Sequence, residues 1–435
     1  MWPQSNNTSR RTAPDTPMNA HRPLLSLDDA LARLVAAAGE HRLRETEKVS
    51  TFDALGRVLA ADVCAGLDVP PADNTSMDGY ALRAADVPVA GTELAVAQRI
   101  PAGQVGQPLQ PGSAARIFTG GQVPPGADAV VMQEQCEAIA AATGAGLGSV
   151  RVNTVPAAGQ WIRRRGEDVM QGAAVLQAGQ RLTPQALGLA ASVGVGALTV
   201  WRRPRAALFS TGDELQMPGE VLRPGAIYNS NRYTLRALLQ AGGCEVQDLG
   251  IVGDTLAATR LALREAAQRN DLIITSGGVS VGEEDHLKPA AEAEGSIENW
   301  QIAIKPGKPL ALGRVRRADG SVALLIGLPG NPVSSYVTYL LTVSTALRAM
   351  QGMNPALPAG LPMRADFDWR KPDRRREFLR ARVNAEGGLD LFANQSSGVL
   401  TSAVWADGLI DNTGGQAIAR GDSVRFLPLS ELVAR

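Results

Sequence analysis

The sequence has few cysteines, few histidines and no long apolar run, and each shortage argues against a class of site or protein. The three cysteines, Cys64, Cys136 and Cys244, lie far apart without CxxC spacing, which argues against a disulfide framework, structural zinc and an iron–sulfur cluster. No apolar run approaches the roughly 18 residues that span a bilayer, so no membrane anchor is expected. Residues 1–23 are polar throughout, which argues against a secretory signal and favours a disordered leader. These features predict a cytoplasmic protein.

The charge balance argues against a nucleic-acid-binding protein, because 43 basic residues face 43 acidic ones and no basic excess remains for a polyanion. Lysine is scarce among the basic residues, since arginine fills the ordinary surface positions. A lysine in this chain therefore suggests a position where a compact ammonium group is wanted. The five lysines are Lys48, Lys288, Lys305, Lys308 and Lys371.

The rhythm of apolar runs predicts a multidomain α/β protein. A length of 435 residues corresponds to roughly three domains of about 150 residues. From Arg205 onward, short buried runs alternate with helical segments, which is typical of a doubly wound, mostly parallel sheet. Short β-rich runs with Gly and Pro surround it and predict small β domains. The expected parts are a leader (1–23), a discontinuous linking and dimerisation domain that contains a helix (24–60 and 160–203), a small β domain (61–159), the doubly wound domain (204–352) and a C-terminal β domain (353–435).

Two motifs follow predicted strands of the doubly wound domain, where parallel sheets bind ligands. Ser210-Thr211-Gly212-Asp213-Glu214 places two carboxylates beside a glycine turn, which suits a hard cation or is a solvated turn. The segment from Ser276 to Asp285 reads SGGVSVGEED and joins paired glycines to three carboxylates. It could hold a phosphate with a magnesium ion, or it could be a plain glycine-rich connection.

Two further motifs lie later in the same domain. Lys305-Pro306-Gly307-Lys308-Pro309 is a tight turn with two ammonium groups, which repel unless an anion lies between them or solvent screens them. In the segment GLPGNP, Asn331 and Pro332 predict a helix start that is capped by Asn331 or presents N–H groups to an oxyanion.

Seven segments in order resemble those of the molybdopterin molybdenumtransferases, the MoeA-type enzymes related to the C-terminal domain of gephyrin. They are DNTSMDGYA, ARIFTGG, RRRGED, FSTGDEL, SGGVSVGEED, IKPGKP and GLPGNPVS, and the resemblance runs from about Leu24 to the C-terminus. It implies a molybdopterin-binding α/β domain and a homodimer with its site at the subunit junction. It also implies insertion of molybdate into the dithiolene of adenylated molybdopterin, with Mg²⁺-dependent release of AMP.

The resemblance also implies roles for individual residues. Asp78, Glu214, Asp285 and Lys305 are expected to be catalytic, and Glu214, Asp254 and Asp285 to bind the metal. The expected substrate-binding residues are Thr119, Asp168, Thr211, Gly277, Gly278, Ser280, Lys308, Pro309, Pro329, Pro332, Ser334, Arg380 and Ser397.

The sequence departs from the family at two positions. Gln301 follows Trp300 where many relatives have lysine or arginine, and His286 stands where tyrosine is common. Two alternative functions remain: a molybdopterin adenylyltransferase, which consists essentially of the α/β module alone, and a non-catalytic peptide-binding scaffold. Further expected partners are the adenylyltransferase and apo-molybdoenzymes or their chaperones, with no nucleic acid and no membrane.

Overall fold

The computed structural model describes residues 24–141, 146–279 and 286–434, which form two compact units. The first unit contains the described residues up to Arg42 together with Pro204–Met350 and Pro355–Arg435. The second unit contains Leu43–Arg203 and Gln351–Asn354. No helix in these residues is long and apolar enough to cross a membrane. The predicted leader lies outside the described residues.

A six-stranded sheet, called the central sheet below, lies in the first unit. Four neighbouring strands are parallel to one another, and the last two strand pairings at one edge are antiparallel. The predicted mostly parallel sheet is therefore confirmed. In spatial order, the strands are Glu245–Val252, Arg205–Thr211, Leu272–Ser276, Val322–Leu328, Pro309–Arg316 and Gly295–Gln301.

Both faces of the central sheet are covered, as in a doubly wound fold. Leu272 and Ile274 belong to one hydrophobic core, whereas Ile273 belongs to another, because successive side chains point to opposite faces of a strand. The helices of this part are Ser230–Ala241, Leu256–Arg269, Leu287–Glu294, Pro332–Thr338 and Ser344–Met350, with a π-helical turn at Tyr339–Val343 and a small parallel pair of strands at Leu215–Gln216 and Ile227–Tyr228.

The first helix, Leu27–Glu40, differs in its packing from the sequence-based expectation. The hydroxyl of Ser26 accepts the Asp29 N–H at 3.0 Å and caps the helix. The buried side chain of Leu34 belongs to the same core as Ile274 of the central sheet. This helix therefore packs with the doubly wound unit, not with the predicted linking domain.

A second sheet of the first unit, called the C-terminal sheet below, begins with a short strand from the lysine turn. Ile304–Lys305 pairs in parallel with Arg376–Val383, and the register places Lys305 opposite Glu377. The remaining strands are Gly408–Asn412, Ser423–Pro428, Leu361–Arg364 and Leu389–Leu391, and the short helices are Thr401–Trp405 and Leu429–Ala434. The lysine turn thus belongs by its backbone to the C-terminal sheet.

The second unit contains a six-stranded, mostly antiparallel sheet and three small strand pairs. Its cores are separate: Leu59 and Leu198 belong to one, and Leu82 and Val131 to another. These cores support a division near residues 60 and 160, which stays a prediction. The strands of the large sheet are, in spatial order, Ala129–Met132, Gly79–Leu82, Ser113–Ile117, Thr92–Ile100, Ser149–Val152 and Cys136–Ile139. The strand pairs are Thr46–Ser50 with Ala197–Trp201, Val63–Cys64 with Ala174–Leu176, and Asn74–Thr75 with Ile162–Arg163. The described helical segments of this unit are the α-helix Pro184–Ser192 and the 3₁₀ turns Thr51–Asp53, Ala84–Asp86 and Gln133–Gln135.

Candidate functional site

The carboxyl ends of three neighbouring parallel strands meet at one edge of the central sheet. In the register of the sheet, Ser210 pairs with Ser276, and Ser276 pairs with Leu328. The side-chain amide of Asn231 donates to the Gly330 carbonyl at 2.7 Å and to the Ser276 hydroxyl at 3.4 Å, which ties two of these ends together. The three predicted strand-end motifs therefore begin side by side, where open parallel sheets bind ligands.

The paired glycines after Leu272–Ser276, the middle one of these three strands, are required by the backbone. Gly277 has φ +92°, and a Cβ atom there would lie 2.8 Å from the Thr211 carbonyl oxygen. Its N–H donates to the Leu328 carbonyl at 3.2 Å. Gly278 also has a positive φ, +65°. Only glycine adopts this conformation without strain so close to a neighbouring strand. The predicted substrate-binding residue Ser280 lies outside the described residues.

The acidic residues expected to hold a metal follow two adjacent strands. Thr211 pairs with Val252 at the strand ends, so Glu214 and Asp254 both leave the sheet at its carboxyl edge. Glu214 is exposed and Asp254 is half-buried. Within the part of the chain that the structure describes, no three His, Cys, Asp or Glu side chains come close enough to hold a metal ion. The third expected ligand, Asp285, lies outside that part.

The two lysines of the turn differ in their surroundings. The Nζ atom of Lys305 lies 3.2 Å from Glu377 Oε1 and 3.6 Å from Asp373 Oδ2. Lys308 is exposed and forms no ion pair with another described residue. Neither an anion between the lysines nor solvent screening was the whole account for Lys305, because Glu377 and Asp373 already balance its charge. Lys308 keeps a free charge.

The glycine between the lysines fixes the turn against a helix. Gly307 has φ +106°, and a Cβ atom there would overlap the Oγ1 atom of Thr338 and lie 3.4 Å from the Ser334 carbonyl oxygen. The side chain of Thr338 is fully buried. Pro309 then begins the next strand of the central sheet. The turn thus packs directly on the helix that carries the predicted residue Ser334.

The start of that helix makes a contact that the sequence did not predict. The helix begins at Pro332 with Asn331 at the cap position, as predicted, but the Asn331 side chain makes no capping bond. The N–H of Val333 donates to the Ser397 carbonyl at 3.0 Å. Pro332 has no N–H to offer. The predicted residue Ser397, from the C-terminal domain, is therefore held against the helix turn that carries Ser334.

Arg380 is a buried cation without a carboxylate partner among the described residues. Only 1% of it is exposed, and its guanidinium donates to Ser402 Oγ at 3.1 Å, the Phe378 carbonyl at 3.1 Å and the Ser396 carbonyl at 3.4 Å. Burial lowers the pKa of Arg380 to about 10. A desolvated positive charge next to the loop of Ser397 favours a nearby anion.

In the second unit, two predicted residues lie together. The carboxylate oxygen Oδ1 of Asp78 accepts both the N–H and the hydroxyl of Thr119, each at 2.7 Å. These bonds, the backbone bond first, hold the pKa of Asp78 below its usual range. Asp78 is therefore an ionised acceptor and not an acid at neutral pH.

Replacing Thr119 with valine should raise the pKa of Asp78 without unfolding the protein. The variant loses the hydroxyl bond but keeps the backbone N–H bond, so the pKa should rise only part of the way towards the ordinary value of about 3.9. NMR titration of ¹³C-labelled aspartate side chains measures the shift, with Thr119→Ser as the control that keeps the hydroxyl. An unchanged pKa in the valine variant would show that the hydroxyl bond has no role.

The third predicted residue of this unit, Asp168, is exposed and forms no ion pair within the described ranges. The arginines before it are paired with acids from an earlier segment: Arg164 contacts Asp73 at 2.7 Å, and Arg165 contacts Asp68 at 2.5 Å. The cluster is therefore a surface charge network whose acids, Asp68 and Asp73, lie outside the RRRGED segment.

Sequence reasoning missed Asn231, Asp373 and Glu377. Asn231 lies in the polar run NSN after a short strand, and Glu377 lies three residues before the predicted Arg380. These two positions are the only features of the sequence that could have pointed to them. The structure places the predicted site residues in three groups. They are the carboxyl-edge group of Thr211, Glu214, Asp254, Gly277, Gly278, Pro329 and Pro332, the lysine-turn group of Lys305, Lys308, Pro309, Ser334, Arg380 and Ser397, and the pair Asp78 and Thr119. Asp168 belongs to none of these groups.

Three family models together match most of the described residues. Residues 25–194 match the family model of the MoeA N-terminal region (domain I and II). Residues 207–349 match the probable molybdopterin binding domain, and residues 362–429 match the MoeA C-terminal region (domain IV). The first match includes the helix Leu27–Glu40, although in the structure this helix packs with the first unit.

Curated relatives and solved structures agree with these matches. The Molybdopterin molybdenumtransferase of Haemophilus influenzae is 38% identical over 372 residues, which are 85% of this chain and 89% of the relative. The Molybdopterin molybdenumtransferase 2 of Mycobacterium tuberculosis is 38% identical over 375 residues, which are 83% of this chain and 90% of the relative. The chain is also similar to the crystal structure of the molybdopterin biosynthesis moeA protein from Pyrococcus horikoshii, with 27% sequence identity and a TM-score of 0.78. The match covers 93% of this chain and 99% of that chain.

Proposed function

This chain belongs to the molybdopterin molybdenumtransferase (MoeA) family and is a transferase of molybdenum cofactor biosynthesis, and we propose that it inserts molybdate into the dithiolene of adenylated molybdopterin with Mg²⁺-dependent release of AMP. Molybdenum insertion with molybdopterin and molybdate as substrates follows from the family. The adenylated form of the substrate, the release of AMP and the Mg²⁺ ion are the finer parts of the proposal.

The observation that carries the proposal is a concentration of oxyanion donors at the lysine turn. Lys308 has a free ammonium group, and Ser397 is held against the helix turn of Ser334. Buried Arg380 adds a positive charge beside the same loop. Molybdate is a hard dianion, which charged N–H groups and hydroxyls bind well. A donor set of this kind supports molybdate as the ligand of the turn.

The positions of the cysteines support a reaction in which the substrate, and not the protein, supplies the sulfur ligands of molybdenum. Cys244 is buried in the core of the first unit, and Cys64 and Cys136 are in the second unit. The dithiolene of molybdopterin supplies the soft sulfur ligands that molybdenum takes, so the protein needs only to bind the oxyanion.

The carboxyl edge of the central sheet suits the phosphate and metal part of the substrate. Glu214 and Asp254 provide the oxygen donors that Mg²⁺ prefers, and Asp285 is proposed as the third. When bound, the ion would neutralise phosphate charge as AMP leaves. Gly277 allows the backbone of this edge to approach a phosphate closely. Asp78 and Asp168 of the second unit stay proposed site residues.

A mass-spectrometric assay tests the proposal. The protein is incubated with adenylated molybdopterin and Mg²⁺, with and without molybdate, and AMP and the adenylate are quantified. We expect consumption of the adenylate and release of AMP only with molybdate. Formation of the adenylate from ATP and molybdopterin would identify an adenylyltransferase instead. No conversion in either direction would favour the scaffold alternative.

An apolar groove of about 730 Å³ in the second unit supports the proposed homodimer. Phe52 at its rim is 90% exposed and Leu55 is 56% exposed. Exposed apolar surface on this scale is typical of an interface, and a second copy of the chain is its proposed occupant because symmetric dimers are the commonest oligomers. The other lining residues are Ser50, Thr51, Pro184, Leu187, Gly188, Ala191, Gly194, Val195 and Gly196.

Replacing Phe52 with glutamate should convert the dimer to a monomer. A charge in the groove would lose its hydration on association, so we expect the dimer dissociation constant to rise at least about 100-fold. Light scattering coupled to size-exclusion chromatography measures the mass. Val105→Glu, at an exposed apolar residue outside the groove, should stay dimeric. A Phe52→Glu variant that remains dimeric would mean that the groove is not the interface.

Other expectations stay proposals. They are delivery of substrate by a molybdopterin adenylyltransferase, transfer of product to apo-molybdoenzymes or their chaperones, and a cytoplasmic location.

A further inference from the structure

We propose that Glu377 is a positioning residue that directs the Lys305 ammonium towards the oxyanion substrate, an inference that rests on the function proposed above. Glu377 is fully buried, whereas 39% of the Lys305 side chain is exposed. The ammonium therefore lies between the carboxylate and the open side of the turn. An anion can reach Lys305 only from the side away from Glu377.

The orientation of Glu377 is fixed independently of the lysine. Its Oε2 atom accepts the Trp369 indole N–H at 2.8 Å and lies 3.5 Å from the Asn412 amide nitrogen. Its Oε1 atom is left for Lys305, at 3.2 Å. The backbone pairing of Lys305 with Glu377 in the C-terminal sheet holds the two residues in register. Both carboxylate oxygens are thus occupied by donors.

Asp373 completes the support of the ammonium group. Arg375 binds its two oxygens at 3.0 Å and 2.8 Å, and this contact holds the pKa of Asp373 well below its usual range. Asp373 Oδ2 lies 3.6 Å from Lys305 Nζ. An ammonium group has three donors. Glu377 accepts one of them, and Asp373 at 3.6 Å adds attraction without a hydrogen bond, so the remaining N–H groups are available to the substrate.

The charges give Lys305 and Lys308 different roles. Lys305 and Arg375 balance Glu377 and Asp373, so this group of four is neutral. Lys305 therefore contributes a directed N–H, whereas Lys308 contributes net positive charge. Simple electrostatics predicts that removal of the Glu377 charge would strengthen anion binding. The positioning role predicts the opposite.

The variant Glu377→Gln separates these effects. Glutamine has one acceptor oxygen, and Glu377 needs two, so the amide NH₂ must face either Lys305 or Trp369. Trp369 and Asn412 both lie at one oxygen position, whereas only the partly exposed Lys305 lies at the other, so the glutamine oxygen should face Trp369 and the NH₂ should displace the lysine. We expect the KM for molybdate to rise about tenfold while kcat changes less than about twofold, because the lost contact is a uniform binding contact. Glu377→Asp, which keeps both acceptors, should recover part of the affinity. Glu386→Gln, at an exposed carboxylate of the same domain, is the matched control.

A double-mutant cycle with Lys305→Met shows whether Glu377 acts through the lysine. In the Lys305→Met background, Glu377→Gln should change the Kd for molybdate, measured by equilibrium dialysis, less than about twofold, because the coupled partner is absent. Thermal unfolding of each variant monitors the fold. A tenfold effect that persists without the lysine would overturn the inference, and so would tighter molybdate binding in Glu377→Gln.

Equilibrium dialysis with molybdate alone distinguishes this inference from the proposed function. A wild-type protein that neither binds molybdate nor releases AMP would overturn both. A wild-type protein that does both, with Glu377→Gln indistinguishable from it, would overturn only the role of Glu377.

Discussion

Replacing Lys308 with alanine should lower kcat/KM for molybdate about 100-fold, because a charge-assisted hydrogen bond contributes about 1.5–3 kcal/mol and each 1.4 kcal/mol or so corresponds to a factor of ten. Lys308 is exposed and has no carboxylate partner among the described residues, so its charge is available to an anion. It supplies the net positive charge that the neutralised Lys305 does not. Rates of molybdate-dependent AMP release measure the effect.

The fold of the Lys308→Ala variant should be unchanged, since an exposed side chain without partners contributes little to stability. Thermal unfolding monitored by circular dichroism tests this. Lys371→Ala removes another exposed lysine of the same unit and should leave kcat/KM unaltered. Full activity of Lys308→Ala would refute the assignment of the lysine turn to the oxyanion.

Gly307→Ala should have an effect of similar size on activity and a larger one on stability. The added methyl group overlaps Thr338 Oγ1, and φ +106° is strained for alanine. We expect a loss of about 1–3 kcal/mol in the free energy of unfolding, as for other strained backbone positions. The turn must also move away from its helix, which displaces both lysines, so kcat/KM should fall at least about 100-fold. Urea unfolding and the AMP-release assay measure the two effects.

Two further variants separate steric overlap from backbone strain. Gly320→Ala has a comparable φ of +83° but nothing within 4 Å of the new methyl group, so it should be destabilised without loss of activity. Thr338→Ala removes the overlapping hydroxyl, which has no hydrogen-bond partner among the described residues. Combined with Gly307→Ala, it should restore part of the activity. If the double variant is no more active than Gly307→Ala, the overlap is not the cause.

The central sheet was predictable because buried strands and helices alternate with a clear period. The run LIITS is apolar on both faces, which marks a strand covered on both sides, and the structure buries all of Leu272–Ser276. The position of the first helix was not predictable. The apolar stripe that includes Leu34 indicates that one face of the helix is buried, but it does not indicate which core covers that face.

The candidate site was predictable only in part for a related reason. Each strand-end motif and the lysine turn consist of residues that are consecutive in the sequence, so the sequence alone identifies them. The partner of Lys305 is 72 residues away at Glu377, and the pairing of two strands within the C-terminal sheet brings the two together. Local spacing contains no information about such a contact. The same holds for the Val333–Ser397 hydrogen bond and for the buried environment of Arg380.

The most direct measurement is an anomalous difference map at the molybdenum edge, from crystals soaked with molybdate and adenylated molybdopterin. We predict one strong peak within about 4 Å of the Nζ atoms of Lys305 and Lys308, the separation expected when molybdate oxygens accept charge-assisted hydrogen bonds. A molybdenum peak bound elsewhere on an active protein, with both lysines free of it, would contradict the assignment of the oxyanion site.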